Sequence, residues 1–486
     1  MHRSTYTRIA VPKLQAIGLL RNSLSRNVLS ATARGMANAT PRKPRVVVIG
    51  CGWGGFRFAQ DIDKKAFDVL LVSPRNHFLF TPLLPSTAVG TLEFRCIQEP
   101  VRTIPGLNYL QASCNSIDFD KKEIQCTEAF KYDTVPLSYD YLVLAPGSET
   151  NTFQVPGVED NPRVFFLKQL DQARAIRNKL IESFERASLP SVDPAERDRL
   201  LTFIVVGGGP TNIEFAAELY DFLQFDVARS YADLTPYVKV MVVEASGHIL
   251  GSFKSSLGKY VEKLFRKRRI EVRTGVTVQA VEDGCSMVLD DGSRLPFGLM
   301  VWSTGIKQVP MILRLGEQKQ VAQAPGGRLL VDSQLRLLRP SSSADIAAEV
   351  DASVYAMGDC ACDSTHPLPA LAQVAAQQGK YLADVFNNHH VTTPTTVMHS
   401  SSSRHSMVPA FKYMHLGSMA SVGDWKGVVD TPNITESQAG PPVTGFVAFL
   451  LWRAAYWTKQ VSLVNKMLIP MYWFKSAVFG RDISRF

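Results

Sequence analysis

Acidic residues are missing from the first 60 positions, the first being Asp61. Cysteine is scarce: there are seven, with no Cys-x-x-Cys and no Cys/His ligand spacing. That excludes a disulfide framework and gives no signal for a zinc site or any other metal, so a reduced compartment is expected. Uninterrupted apolar runs are also short. The best in the tail, Phe446 to Trp452, stops at Arg453, well below the ~18 residues a spanning helix needs. Charged residues are only 20% of the chain against 45% apolar, which excludes a disordered or collagen-like protein. With 486 residues the chain is long enough for two or three domains.

The net charge of +9 suggests a nucleic-acid partner until it is located. Nine lysines and arginines lie within residues 1–45, and removing them from 53 leaves 44 basic against 44 acidic residues. A basic nucleic-acid domain loses its support, and no nucleic acid is expected as a partner. An acid-free, Arg- and Ser-rich leader with Leu14, Ile17, Leu24 and Val28 near helical spacing reads as a mitochondrial targeting segment over 1–44. A disordered basic arm is the plainer alternative.

The body opens with an apolar strand, Arg45 to Ile49, then a glycine turn carrying Gly50, Gly52, Gly54 and Gly55. A helix is expected from Phe56 to Asp63 and a strand from Asp68 to Val72. The unit recurs 157 positions later. Leu201–Val206 leads into Gly207, Gly208, Gly209, Pro210, Thr211 and Asn212, with a helix from Ile213 to Leu223 and a strand over Val238–Val243 ending at Glu244. The first glycine of such a turn permits the tight bend, and the second lets the backbone approach a pyrophosphate seated on a helix N-terminus. Placed between strand and helix and duplicated, the pattern predicts two dinucleotide sites. Glu244 stands where a carboxylate accepts from a ribose hydroxyl and repels a 2′-phosphate, which favours NADH over NADPH. The first unit has Ser73 there, followed by Pro74 and Arg75, which weakens an adenosine-ribose contact but leaves FAD preferred to FMN.

Tyr141–Gly147, containing Ala145, and Met300–Gly305, containing Thr304, are matched strand–turn segments of the kind that mark crossings between domains. Ser353–Asp359 ends in Gly358-Asp359, placed to hold a ribityl or phosphate group on the chain's return to the first domain. A helix near Leu368 carries Ala372, Gln373 and Gln377, with both amides on one face. The tail interleaves Phe446, Trp452, Tyr456, Trp457, Trp473 and Phe474 with arginine and lysine, as interfacial helices do. Burial of those rings in a core or a dimer interface is the alternative.

These motifs resemble the type II (alternative, non-pumping) NADH:quinone oxidoreductases of mitochondria, within the two-dinucleotide-binding-domain flavoproteins. The likeness rests on Ser73–Pro85 (which includes Thr81 and Pro82), Val206–Glu214, Ala372–Gln377 and Pro470–Asp482. The resemblance implies an α/β fold of two Rossmann-like domains with a C-terminal amphipathic helical region. Its divisions here are 45–165 and 311–392 for FAD, 166–310 for NADH, and 393–486 for membrane association and dimerisation. It implies FAD on Gly50, Gly52, Gly54, Gly55, Ser73, Pro74, Arg75, Thr81, Pro82, Ala145, Gly147, Gly358, Asp359, Ala372 and Gln373. NADH would lie on Gly207–Asn212, Glu214, Glu244, Thr304 and Gly305. Glu214 would sit beside nicotinamide and flavin, positioning NADH or taking part in proton uptake, with Gln373 and Gln377 at the flavin and quinone channel. Ubiquinone would be the acceptor, residues 441–486 the lipid contact, a homodimer the assembly and the matrix side of the inner membrane the location. Asn212 departs from the third glycine of the pattern: its side chain should force the helix off the strand or be absorbed locally.

Three rival functions share the architecture. Disulfide reductases need a cysteine pair after the first turn, and residues 56–66 contain none. A sulfide:quinone oxidoreductase would use cysteines such as Cys126 and Cys360 and has no need of Glu244. A signalling flavoprotein would not need the aromatic tail beside a paired-glutamine helix.

Overall fold

The computed structural model describes residues 42–340, 348–390, 408–432 and 440–485, so the leader up to residue 41 and the segment 391–407 lie outside the described residues. Arg45–Ile49, all apolar after its first residue and buried, pairs in parallel with Asp68–Val72 on one side and Tyr141–Leu144 on the other. Glu349–Ala356 adds itself in parallel beyond Tyr141–Leu144, within an eight-stranded sheet. The expected return of the chain to the first sheet is therefore present. Strands buried on both faces read as continuous Val/Ile/Leu runs, as these do.

A second sheet holds five parallel strands in the order Val164–Phe166, Leu299–Trp302, Thr202–Val206, Lys239–Glu244, Ile270–Thr274. Both sheets place a strand, a glycine turn and a helix in sequence, the arrangement of a dinucleotide-binding fold. Ser148–Thr150 and Ile306–Gln308 pair antiparallel, joining the segments that follow the matched strand–turn sequences. The helices begin earlier than their periodicity suggested. They span Trp53–Asp61 and Pro210–Phe222, because the glycine turn is tight enough for helical bonding to start beside it. Pro194–Leu200 is a helix capped by Asp193, which accepts from the Glu196 N–H at 2.9 Å.

The C-terminal region forms three antiparallel strands, Ser418–Ser421, Gly427–Asp430 and Val443–Gly445, then the helices Phe446–Thr458 and Leu463–Phe479. Among the described residues no helix is long and apolar enough to cross a membrane.

Candidate active site

The two sheets share one cleft of about 1360 Å³. Of the residues singled out for flavin, Gly50, Gly52, Gly54, Ser73, Pro74, Arg75, Thr81, Pro82, Ala145, Gly147, Gly358, Asp359 and Ala372 line it. Pro210, Thr211, Glu214 and Gly305 line it from the second unit. Gly55, Gln373, Gln377, Gly207, Gly208, Gly209, Asn212, Glu244 and Thr304 stand outside that lining.

The first turn is built by steric necessity. Gly50 has φ of +99°, and a Cβ there would lie 2.2 Å from the Ala145 carbonyl oxygen. A Cβ on Gly55 would lie 2.0 Å from the Gly50 carbonyl oxygen, so the helix rests on the turn only because Gly55 has no side chain. Gly52 meets nothing within 4 Å, and no side chain caps the helix that follows. The helix N–H groups and the bare turn thus face the cleft, where a pyrophosphate fits. Opposite them, Ser148 donates to Asp359 Oδ2 at 2.7 Å, and Lys168 Nζ donates to Ser148 at 2.7 Å. Burial holds the Lys168 ammonium below its usual pKa, against the pull of Asp359 and Glu149. Hydroxyl, carboxylate and cation beside a glycine turn are a donor and acceptor set suited to a ribityl-phosphate chain, so the residues fit FAD. Ser148 and Lys168 carried no motif in the sequence. They reach Asp359 only because the crossing strand and the start of the helix Leu170–Ala187 converge.

The serine at the end of the first unit is satisfied within the protein. Ser73 is buried and donates to Cys51 Sγ at 3.2 Å, and Cys51 in turn donates to the Arg75 and His77 carbonyls at 3.1 Å. Cys51 thereby stitches the turn to residues 73–77. His77 lines the cleft with its pKa pushed down to about 4 by burial and by the neighbouring Arg75.

In the second unit Asn212 is absorbed and the helix is not displaced. The residue is 1% exposed, and its Nδ2 donates to the Val206 carbonyl at 2.8 Å and the Ser303 carbonyl at 3.3 Å. The side chain replaces glycine contact with hydrogen bonds to two strand ends. Glu244 accepts from the Gly208 N–H through Oε2 and from the Ser246 N–H at 2.7 Å through Oε1. Thr304 packs against Gly207.

Gln373 and Gln377 spend their amides on the segment Met414–Gly417. Gln377 donates to the Met414 carbonyl at 2.8 Å and accepts from its N–H at 2.9 Å. Gln373 accepts from the Leu416 N–H at 3.2 Å and donates to the Gly417 carbonyl at 3.4 Å. The neighbour Gln378 reaches the cofactor side, accepting from the Gly358 N–H at 2.7 Å.

Glu214 is 5% exposed, and its Oε1 accepts from Trp452 Nε1 at 2.8 Å and from the Ser421 N–H at 3.1 Å. Burial pushes its pKa up to about 8 despite those two donors, with Glu218 adding to the rise. Glu218, one turn on, accepts from Ser86 at 2.8 Å, Thr91 at 2.6 Å and Arg481 at 3.3 Å. Asp221 accepts from the Asp424 N–H at 2.8 Å. Three carboxylates at i, i+4 and i+7 form one stripe of the helix Pro210–Phe222, and the C-terminal region supplies a partner to each. The i, i+4, i+7 spacing of these acids is visible in the sequence, whereas their partners, 127 or more positions away, are not.

Residues 44–379 match the family described as pyridine nucleotide-disulphide oxidoreductase, and residues 415–482 match the NDH2 C-terminal domain. A probable NADH dehydrogenase of Dictyostelium discoideum is 39% identical over 96% of both chains. The chain belongs to the type II NADH dehydrogenase family. An internal alternative NAD(P)H-ubiquinone oxidoreductase A1, mitochondrial, of Solanum tuberosum is 40% identical over 92% of this chain and 89% of its own. The structure of NDH2 from Plasmodium falciparum in complex with NADH superposes with a TM-score of 0.81 at 26% identity, covering 91% of this chain and 100% of that one. The sulfide:quinone oxidoreductase of Aquifex aeolicus shares the fold alone, at 17% identity. Cys126 and Cys360, which that chemistry would have used, are buried and do not line the cleft.

Proposed function

We propose that this type II NADH dehydrogenase oxidises NADH and reduces ubiquinone on a peripheral seat at the matrix side of the mitochondrial inner membrane, without pumping protons. Bound FAD supplies the acceptance of a hydride and the delivery of two electrons. The glycine turn at Gly50–Gly55 and the helix behind it hold the pyrophosphate, while Asp359, Ser148 and Lys168 hold the ribityl side. Glu244 accepts from the NADH ribose and disfavours a 2′-phosphate. Glu214 sits where the helix Pro210–Phe222 enters the cleft and positions NADH or relays a proton. Gln373 and Gln377 act one step back, holding Met414–Gly417 at the quinone side.

The observation that carries this reading is the single cleft lined by both glycine-turn units, with a buried carboxyl on the second unit's helix. Supporting the membrane seat, the last two helices expose Phe446, Leu450, Leu463, Met467, Phe474 and Phe479. An apolar face of that kind seeks lipid, and part of it serves a homodimer contact. The test is steady-state turnover of protein lacking residues 1–44, with NADH or NADPH as donor and a short-chain ubiquinone present or absent. Quinone-dependent oxidation of NADH with little use of NADPH is expected. Flavin reduction by NADH with no quinone turnover would overturn the acceptor.

A further inference from the structure

The C-terminal region has a membrane seat as its assigned task, yet it supplies both hydrogen bonds to the carboxyl at the reaction cleft. Ser421 and Trp452 lie 207 and 238 positions after Glu214, and both donate to the same oxygen, Oε1. The other oxygen, Oε2, has no hydrogen-bond partner among the described residues, and Glu214 lines the cleft. Met419 and Tyr456 from the same C-terminal region line it too.

Trp452 is held firmly enough to aim a proton donor. It is 3% exposed, with Phe449 stacked at 6.3 Å, Tyr456 edge-on at 5.0 Å and Trp473 tilted at 6.3 Å. The helix Phe446–Thr458 that carries it exposes Phe446, Val447, Leu450 and Leu451. One short helix therefore presents an apolar face outward and an indole N–H inward.

We propose that Trp452 is the positioning residue for Glu214: its indole N–H, with the Ser421 N–H, fixes Oε1 and leaves Oε2 to exchange a proton with substrate in the cleft. The proposal rests on the assignment of Glu214 to the reaction. Its balance is simple. NADH, ubiquinone and one proton give NAD+ and ubiquinol: the hydride brings both electrons and one proton, so the second proton must come from solvent through a group in the cleft. A carboxyl with one oxygen pinned and the other unpaired can pass it.

The charged and titratable groups facing Glu214 are Glu218 on its own helix and Tyr456 on the helix Phe446–Thr458. Arg481 and Arg453 face Glu218 behind it. Deleting the indole donor removes a bond that favours the ionised carboxyl, so the Glu214 titration moves to higher pH whether the group serves as acid or base.

The experiment compares Trp452→Phe, which keeps the ring packing, with Glu214→Gln and with Trp473→Phe, which lies in the same ring cluster. For Trp452→Phe we expect the limb of the kcat–pH profile assigned to Glu214 to rise by about one unit, a typical worth for one hydrogen bond to a charged group. Quinone-reducing kcat should fall about tenfold, with flavin content and KM for NADH within twofold of wild type. In the infrared, a protonated carboxyl band present near pH 7 should vanish in Glu214→Gln and shift in Trp452→Phe. A limb and band left in place by Trp452→Phe but removed by Glu214→Gln overturn the role of Trp452 and keep that of Glu214. A limb and rate untouched by Glu214→Gln overturn both. A rate loss equal in Trp452→Phe and Trp473→Phe, with no movement of the limb, reduces Trp452 to packing and also overturns the proposal.

Discussion

The helices Trp53–Asp61 and Pro210–Phe222 occupy equivalent places, each following a strand and a glycine turn, yet they are held by opposite means. The first is closed by close contact. Gly55 rests on the Gly50 carbonyl, and a Cβ on Gly379 of the neighbouring helix would lie 2.4 Å from the Gly54 carbonyl oxygen. The second is closed by polar groups: Asn212 binds two strand ends, and Glu214, Glu218 and Asp221 are bound by partners that include the C-terminal region. Close contact tolerates no added atom, whereas a hydrogen-bonded helix tolerates a changed residue but depends on partners far away in sequence.

The largest effect should come from cutting the polar attachment of the second helix. Arg481 is 10% exposed and pairs with Glu218 at 3.3 Å and Asp226 at 2.8 Å. Arg481→Leu leaves two buried carboxylates without their cation and should cost about 3–5 kcal/mol, read by chemical denaturation. A loss below 1 kcal/mol would mean that the polar attachment is not what holds this helix.

Gly55→Ala attacks the first helix. The added carbon must push backbone apart, at a cost of about 1–3 kcal/mol, and the turn opens where the pyrophosphate seats. Flavin retained after gel filtration should drop sharply. Retention of full flavin would show that the contact is softer than the geometry indicates.

Glu244→Gln removes the charge opposing a 2′-phosphate and should lower KM for NADPH about tenfold relative to NADH. An unchanged donor ratio would move the selectivity elsewhere in the second unit.

A pH titration separates the two helices without relying on turnover. Burial holds Glu214 up to about 8 and Asp221 up to about 6, so the folded state binds their protons more tightly than the unfolded chain does. Their contribution to stability is complete below the unfolded carboxyl range near ~4 and is lost as pH rises through 6 and then 8. Thermal midpoints should fall between pH 5 and pH 8, and Glu214→Gln should fall less. An equal fall in both proteins would remove Glu214 from the account.

The smallest effect is expected for Asn212→Gly, which restores the usual third glycine. It deletes two hydrogen bonds but also the Asn212 Oδ1, which is buried without a partner. Stability should change by no more than about 1 kcal/mol, with KM for NADH near that of wild type. A drop comparable to that of Gly55→Ala would erase the distinction between the helices.

Much of this was decided locally and could be read from the chain alone. Both strand–turn–helix units follow from apolar runs meeting glycines, because backbone geometry at a tight turn admits few residues. The lack of a Cys-x-x-Cys or Cys/His ligand spacing, and of an apolar run long enough to span a bilayer, is likewise legible in the chain. The tertiary structure decided what long-range contact must decide. Asn212 looked like a defect until its amide met the ends of two strands. Gln373 and Gln377, expected at the flavin and quinone channel, spend their amides on Met414–Gly417, and the neighbouring Gln378 accepts from the Gly358 N–H. Lys168 and Ser148 joined Asp359 only when three distant segments converged. The carboxylates at 214, 218 and 221 found partners more than 120 positions away along the chain. A hydrogen bond depends on direction and on distances within a few tenths of an ångström, and residue spacing along a chain carries neither across such separations.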